Sequence, residues 1–210
     1  MTAAIIRSFF VLALLLPFNL QAPQAPSGAP LPQFGRDTVL VYKSSNEAEG
    51  AFIVRIAQFQ PDRYIEWEDS TTQGTILMPA KTVEEARGLA NFQLFEAGVD
   101  TRGKNATTLW LSRRIYRELK QGPKVKFDVD GLPTLVTVLG VDRMDVDVNR
   151  VPTSVPVLKT RDERNSERWF LDLEDNALLV NLLVRDYRQR LTSITTDKAN
   201  TLRWIKDKKR

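Results

Sequence analysis

Two carboxylates, Glu66 and Glu68, stand two residues apart in the segment Arg63-Tyr64-Ile65-Glu66-Trp67-Glu68-Asp69. On an extended strand alternate side chains share a face, so Tyr64, Glu66 and Glu68 lie on one side and Ile65 and Trp67 on the other. The carboxyls are then about 6 to 9 Å apart, the separation of an inverting glycosidase pair. The same alternation also decorates an ordinary solvated strand. A second charged set, Arg113, Arg117 and Lys120, falls at i, i+4 and i+7 and makes a basic stripe on a helix. Such a stripe either grips an anionic polymer or lipid or pairs with acids of its own surface. Asp145-Val146-Asp147-Val148-Asn149 starts like a calcium loop, but Arg150 stands where the loop needs glycine and Pro156 where it needs glutamate. The alternation instead suits a strand with its acids in water and its valines in the core.

The chain has no cysteine and no histidine in 210 residues. Disulfides, thiolate nucleophiles and Cys-based zinc sites are excluded, as are Ser-His-Asp and Cys-His arrangements and the HExxH helix. No serine has a lysine three residues on. Carboxylate, tyrosine and lysine chemistry remain, and no cofactor or metal is expected.

The N-terminus has the layout of a secretory signal peptide: Arg7, the apolar run Phe9 to Leu16, then Pro17 and small residues. The run is shorter than the roughly twenty residues a membrane span requires. Cleavage after Ala25-Pro26-Ser27 would start the mature chain at Gly28, so residues 1–27 read as signal peptide and 28–36, rich in proline, as linker. Residues 198–210 carry six basic residues against Asp207 and read as a basic tail, leaving 37–197 as one domain. The expected location is extracytoplasmic, and a nucleic-acid partner is not expected.

Strand patterns cover Thr38 to Tyr42, Phe52 to Phe59, Arg63 to Asp69 and Thr75 to Met78, the first two forming a hairpin. Thr82-Val83-Glu84-Glu85 resembles a capping box opening a helix that ends near Asn91. Phe92 to Phe95 fits helix or strand, Gly98 to Asn105 a loop, and Thr107 to Leu111 a strand. Ser112 is the N-cap candidate of a second helix with Ile115, Tyr116 and Leu119 as its buried stripe and Gly122-Pro123 as its stop. Seven strand candidates follow: Lys124 to Val129, Leu135 to Val141, Asp142 to Asn149, Val155 to Thr160, Arg168 to Leu171, Leu178 to Val184 and Tyr187 to Ile194. Asp130-Gly131 and Gly140 mark turns. The fold class is mainly β (α+β), a curved antiparallel half-barrel or sandwich with two short helices.

Trp110-Leu111-Ser112-Arg113 with Tyr116, Leu119-Lys120 and Gly122, and Trp169-Phe170-Leu171-Asp172 with Asn176-Ala177-Leu178-Leu179, resemble exported bacterial proteins of unassigned function. Their β-rich body is similar to the half-open barrels of periplasmic lipoprotein carriers. The resemblance covers Arg63 to Asp197, departs from it at Ala177, where proline is expected, and carries over no catalytic residue. It implies an extracytoplasmic scaffold or binding protein whose ligands can be apolar.

The expected function is therefore an exported binding or scaffold protein that takes an apolar or amphipathic ligand, with lipid, an apolar small molecule or an envelope protein as partner. Trp67, Trp110, Trp169 and Tyr116 are the candidate ligand residues, and Arg113, Arg117 and Lys120 the candidate contacts to an anionic partner. A carboxylate-dependent envelope hydrolase and a subunit of an envelope assembly are the alternatives. Mass spectrometry of protein recovered from its native host should give an N-terminus near Gly28; cytoplasmic protein retaining Met1 or Thr2 would contradict export.

Overall fold

The computed structural model describes residues 33–46, 50–98 and 100–196. The expected signal peptide, the first part of the linker and the basic tail lie outside them. The end of the linker already belongs to the fold, since Phe34 packs on the core with its ring 5.8 Å from that of Phe59.

Of the described residues 56% are strand and 11% helical, in one large curved sheet with two α-helices. The first four strands, β1 (Val39–Ser44), β2 (Ala51–Gln58), β3 (Arg63–Glu68) and β4 (Gln73–Met78), form an antiparallel meander. Helix α1 (Ala80–Glu85) and the short strands β5 (Gly88–Leu89), β6 (Asp100–Arg102) and β7 (Ala106–Thr107) lead to helix α2 (Arg113–Gln121). Then come β8 (Lys124–Val129), β9 (Leu132–Val148), β10 (Val151–Asp162), β11 (Glu167–Leu171), β12 (Leu179–Val184) and β13 (Tyr187–Thr195). The sheet order is β6-β4-β3-β2-β1-β13-β12-β11-β10-β9-β8-β5-β7. Near its end β13 also pairs with β9, Ser193 beside Asp147 and Ile194 beside Val148, so the sheet curls back on itself without closing as a barrel.

Two apolar clusters explain the curl. Leu40, Tyr42, Val54, Ile56, Ile65 and Ile76 of the meander cover one face of the central strands, meeting Val155, Val157, Leu171 and Val180. Helix α2 covers the other face, its Ile115, Tyr116 and Leu119 packing with Phe127 and Val129 against Leu158, Phe170, Leu179 and Leu182. Strands buried on both faces read as continuous apolar runs, and this is why Leu178-Leu179-Val180 shows no alternation with polar residues. Each such side chain contributes about 1.5–3 kcal/mol on burial, so in a chain without cysteine packing of these two clusters supplies the main stabilisation.

Ser112 caps α2 as expected, its Oγ accepting from the Ile115 amide at 3.2 Å and donating to the Ala86 carbonyl at 2.7 Å. Asp130 and Gly131 form the β8–β9 turn, both with positive φ, as do Asn149 and Arg150 at the β9–β10 turn where the calcium-like pattern ends. Gly140 makes no turn: it lies inside the single long strand β9 at φ 130°, beside a register shift that leaves Leu139 as the extra residue. Glycine's freedom there bends the strand through a bulge. The capping box does not form. Helix α1 begins behind Pro79, and the buried Thr82 hydroxyl donates instead to the carbonyls of Gly103 and Lys104, 3.1 Å to each. Residues 92 to 95 form neither helix nor strand, and the expected 98–105 loop contains β6, which pairs in parallel with β4. The strand expected to reach Leu111 stops at Thr107, because Leu109 takes a φ of 57°. Parallel pairs β5–β7 and β5–β8 are too short to register as periodicity.

The β10–β11 turn is locked by a buried ion pair. Asp162 accepts from the amides of Arg164 and Ser166 at 2.9 and 2.8 Å and from Arg168 Nη1 at 2.9 Å, with both side chains buried. Burial alone would raise the Asp162 pKa, but the Arg168 bond and the two amides outweigh it and hold the carboxyl below its usual range. A depressed folded pKa gives stability that is complete above the unfolded value of about 3.9 and is lost as pH falls through the folded one. Denaturant titrations should show Arg168→Met costing about 3–5 kcal/mol at pH 7, since it strands a buried carboxylate. Asp162→Asn should flatten the acid limb of the stability profile below pH 4. A loss under about 0.5 kcal/mol in Arg168→Met would contradict this account.

Candidate functional site

Five aromatic side chains and a set of small polar residues surround an open space near the meander. A cleft of about 490 Å³ lies between β2, β3, the 91–95 segment and the start of β13, and Phe52, Trp67, Phe92, Phe95 and Tyr187 line it. Period-2 alternation on β3 turns Trp67 away from Glu66 and Glu68, toward Phe95 and Phe52, at centroid distances of 5.4 and 6.2 Å. Phe95 meets Phe52 edge-on at 5.1 Å. Phe92, half exposed, stands edge-on to Tyr187 at 6.0 Å. These are ordinary geometries for aromatic pairs.

The β8–β9 turn holds the aromatic loop in place. Asp130 accepts from the Asn91 amide at 2.7 Å, from Asn91 Nδ2 at 2.8 Å and from the Phe92 amide at 3.3 Å, while its carbonyl accepts from Gln93 Nε2 at 2.7 Å. Asn91 Oδ1 is buried at the cleft with no donor, and the Trp67 indole N–H is buried with no acceptor. The rim also carries Ser70, Thr71 and Gln189. The one acid among the lining residues, Asp69, is taken up by its own turn, accepting from the amides of Thr71 and Thr72 at 2.8 and 2.7 Å and from both hydroxyls. Burial pushes its pKa up, but these bonds prevail and hold it low. The cleft therefore offers apolar rings beside hydroxyls, amides and a carboxylate already occupied by its own turn.

The other tryptophans lie elsewhere. Trp110 is fully buried, its indole donating to Asn176 Oδ1 at 2.8 Å. Trp169 is half-buried on β11, under the Lys159 ammonium at 4.4 Å and donating to Glu167 at 3.3 Å. Tyr116 belongs to the helix-side cluster and donates to Asp172 at 2.9 Å; burial first, then this carboxylate, raises its pKa beyond the ordinary tyrosine range. Trp67 alone of the four candidates lines the cleft.

The basic stripe of α2 meets acids of the same chain. Arg113 pairs with Glu84 and Asp175, both at 2.8 Å, Arg117 with Glu84 and Glu174 at 2.9 and 2.5 Å, and Lys120 with Asp172 at 2.9 Å. The hydrogen bond from Arg113, ahead of the one from Arg117, holds the Glu84 carboxyl below its usual range. The stripe thus fastens α2 to α1 and to the 3-10 turn at Glu174–Asn176. Glu66 and Glu68 do share a cleft, of about 360 Å³, but Arg55 binds Glu66 through Nε at 2.8 Å and through Nη2. Among the described residues no cluster of His, Cys, Asp and Glu could hold a metal ion, and no helix is long and apolar enough to cross a membrane.

In comparisons with known proteins, no family model, no curated protein and no solved structure matches this chain. Phe52, Phe92, Phe95 and Tyr187 were not singled out by pattern. The legible signal was the i, i+3 pair Phe92 and Phe95 directly after Asn91, too short to assign to either regular period.

Proposed function

We propose that this is an exported, extracytoplasmic binding protein that takes an amphipathic ligand in the cleft of Phe52, Trp67, Phe92, Phe95 and Tyr187. The observation that carries the reading is Phe92, a half-exposed aromatic whose amide donates to the Asp130 carboxylate and whose ring stands against Tyr187, at the mouth of a 490 Å³ cleft. An exposed ring fixed over an apolar floor is an expected feature of ligand sites, and the size falls within the usual range of about 300–1,000 Å³. The hydroxyls and amides of the rim, whose one carboxylate, Asp69, is occupied by its own turn, support a ligand with an apolar segment and an uncharged hydrogen-bonding head.

Titration of the mature protein with octyl glucoside below its micelle threshold, with lauric acid and with phosphatidylcholine vesicles, followed by tryptophan emission, tests this. Octyl glucoside should give a saturable change, and Phe92→Ala should weaken it about tenfold, roughly 1.4 kcal/mol of lost apolar contact. Tyr116→Phe, on the other side of the sheet, should leave it unchanged. Emission unaltered by every ligand would reject the reading. The envelope-assembly alternative would then lead, because Leu132, Leu135, Leu139 and Val141 stand exposed along β9.

A further inference from the structure

Arg55, Arg113, Arg114, Arg117, Lys120, Lys159, Arg161 and Arg168 make ion pairs within 4.0 Å, whereas other cations stand apart from carboxylates. On one flank four of the latter come together. Lys81 of α1, Arg87 after it, Arg102 of β6 and Lys104 all line a single cleft of about 600 Å³, all four are exposed, and none is in an ion pair with a described residue. Glu85 and Asp128 also line the cleft, leaving it with two net positive charges.

The backbone under these side chains is fixed. Gly103, between Arg102 and Lys104, donates to the Leu77 carbonyl at 2.9 Å, and its own carbonyl accepts from Thr82. A Cβ on Gly103 would lie 2.8 Å from the Ala106 carbonyl, so the loop closes only around glycine. The Arg87 amide donates to Asn105 at 3.2 Å, and the Arg87 carbonyl accepts from Asp128 at 3.0 Å. Four cations from two chain segments, 81–87 and 102–104, thus line one concavity on fixed backbone, at a cost in mutual repulsion that Glu85 and Asp128 offset only in part.

We infer that this cleft binds a multiply charged phosphate group of a soluble ligand, gripped by Arg87 and Arg102 with Lys81 and Lys104 closing over it. Guanidinium forks match phosphate oxygens bidentately, and flexible ammonium groups add charge without geometric demand. The recess favours a free phosphate ester over a flat bilayer, whose headgroups could not all enter it.

The test is calorimetric titration of the mature protein with inorganic pyrophosphate at 20 and 200 mM NaCl. Saturable one-site binding at low salt is expected, weakening at least tenfold at high salt. The double variant R87Q/R102Q should lose at least tenfold in affinity with an unchanged emission spectrum, while K43Q, a remote exposed cation, changes it less than twofold. Should R87Q/R102Q fail to fold, acetylation footprinting of the unaltered protein decides: pyrophosphate should protect Lys81 and Lys104 and not Lys43. No binding at low salt, equal loss in K43Q, or absent protection would overturn the proposal. So would tight binding to phosphatidylglycerol vesicles that pyrophosphate does not compete away, which would point to a membrane surface instead.

Discussion

The architecture turns on the surroundings of one indole. Trp110 is fully buried, donates to Asn176, and forms an antiparallel bridge with Leu178; the Leu111 amide reaches the Ala177 carbonyl at 3.0 Å and the Leu179 amide the Leu109 carbonyl at 2.5 Å. Above the ring lies Arg63, 5.0 Å from Trp110 and 4.7 Å from Phe59, with Nη2 donating to the Asp175 carbonyl at 2.6 Å. Burial, and secondarily the facing Arg113, lowers the Arg63 pKa to about 9, which leaves the guanidinium charged at neutral pH. A buried cation is costly unless something compensates it, and here two aromatic faces and a carbonyl do so. The meander, α2 and the β11–β12 connection all meet at this point, so its geometry sets how the two halves of the sheet face each other.

That junction also explains the distribution of polar chemistry. The cations of α2 are spent on Glu84, Asp172, Glu174 and Asp175, the acids that border the junction, and the pairs are exposed enough to orient the helix more than to stabilise it. Glu66 is spent on Arg55. Among the clefts the fold leaves open are an aromatic one on the meander side and a basic one beside α1. Both are lined from segments whose backbone is held by hydrogen bonds, the 91–93 segment to Asp130 and the 87 and 103 positions to Asn105, Asp128, Leu77 and Thr82.

Much of the sheet was legible because strand periodicity is local. β3, β8 and β13 begin at the residues expected, and the buried stripe of α2 is the one its spacing dictates. The two quoted motifs, one starting at Trp110 and the other at Trp169, prove to be neighbours, which spacing along a chain does not encode. What escaped the sequence was tertiary in origin. Thr82 left its capping role because the Gly103 and Lys104 carbonyls lie over it, Gly140 became a bulge because β10 continues opposite it, and β6 formed because β4 offered an edge. The aromatic cleft was half legible: Trp67 stood out by type, whereas Phe52, Phe92, Phe95 and Tyr187 converge from three separate segments. The basic stripe was visible as a pattern, but its acidic partners at Glu84 and Asp172 to Asp175 come from other elements.

The central claim is that ligand enters beside Trp67 while the Trp110 junction stays closed, and the side-chain indole resonances of 15N-tryptophan-labelled protein test it most directly. On titration with octyl glucoside, the Trp67 indole signal should move saturably and that of Trp110, bonded to Asn176, should stay within its line width. Movement of the Trp110 signal at the same or lower ligand concentration, or a Trp67 signal that never moves, would contradict the account.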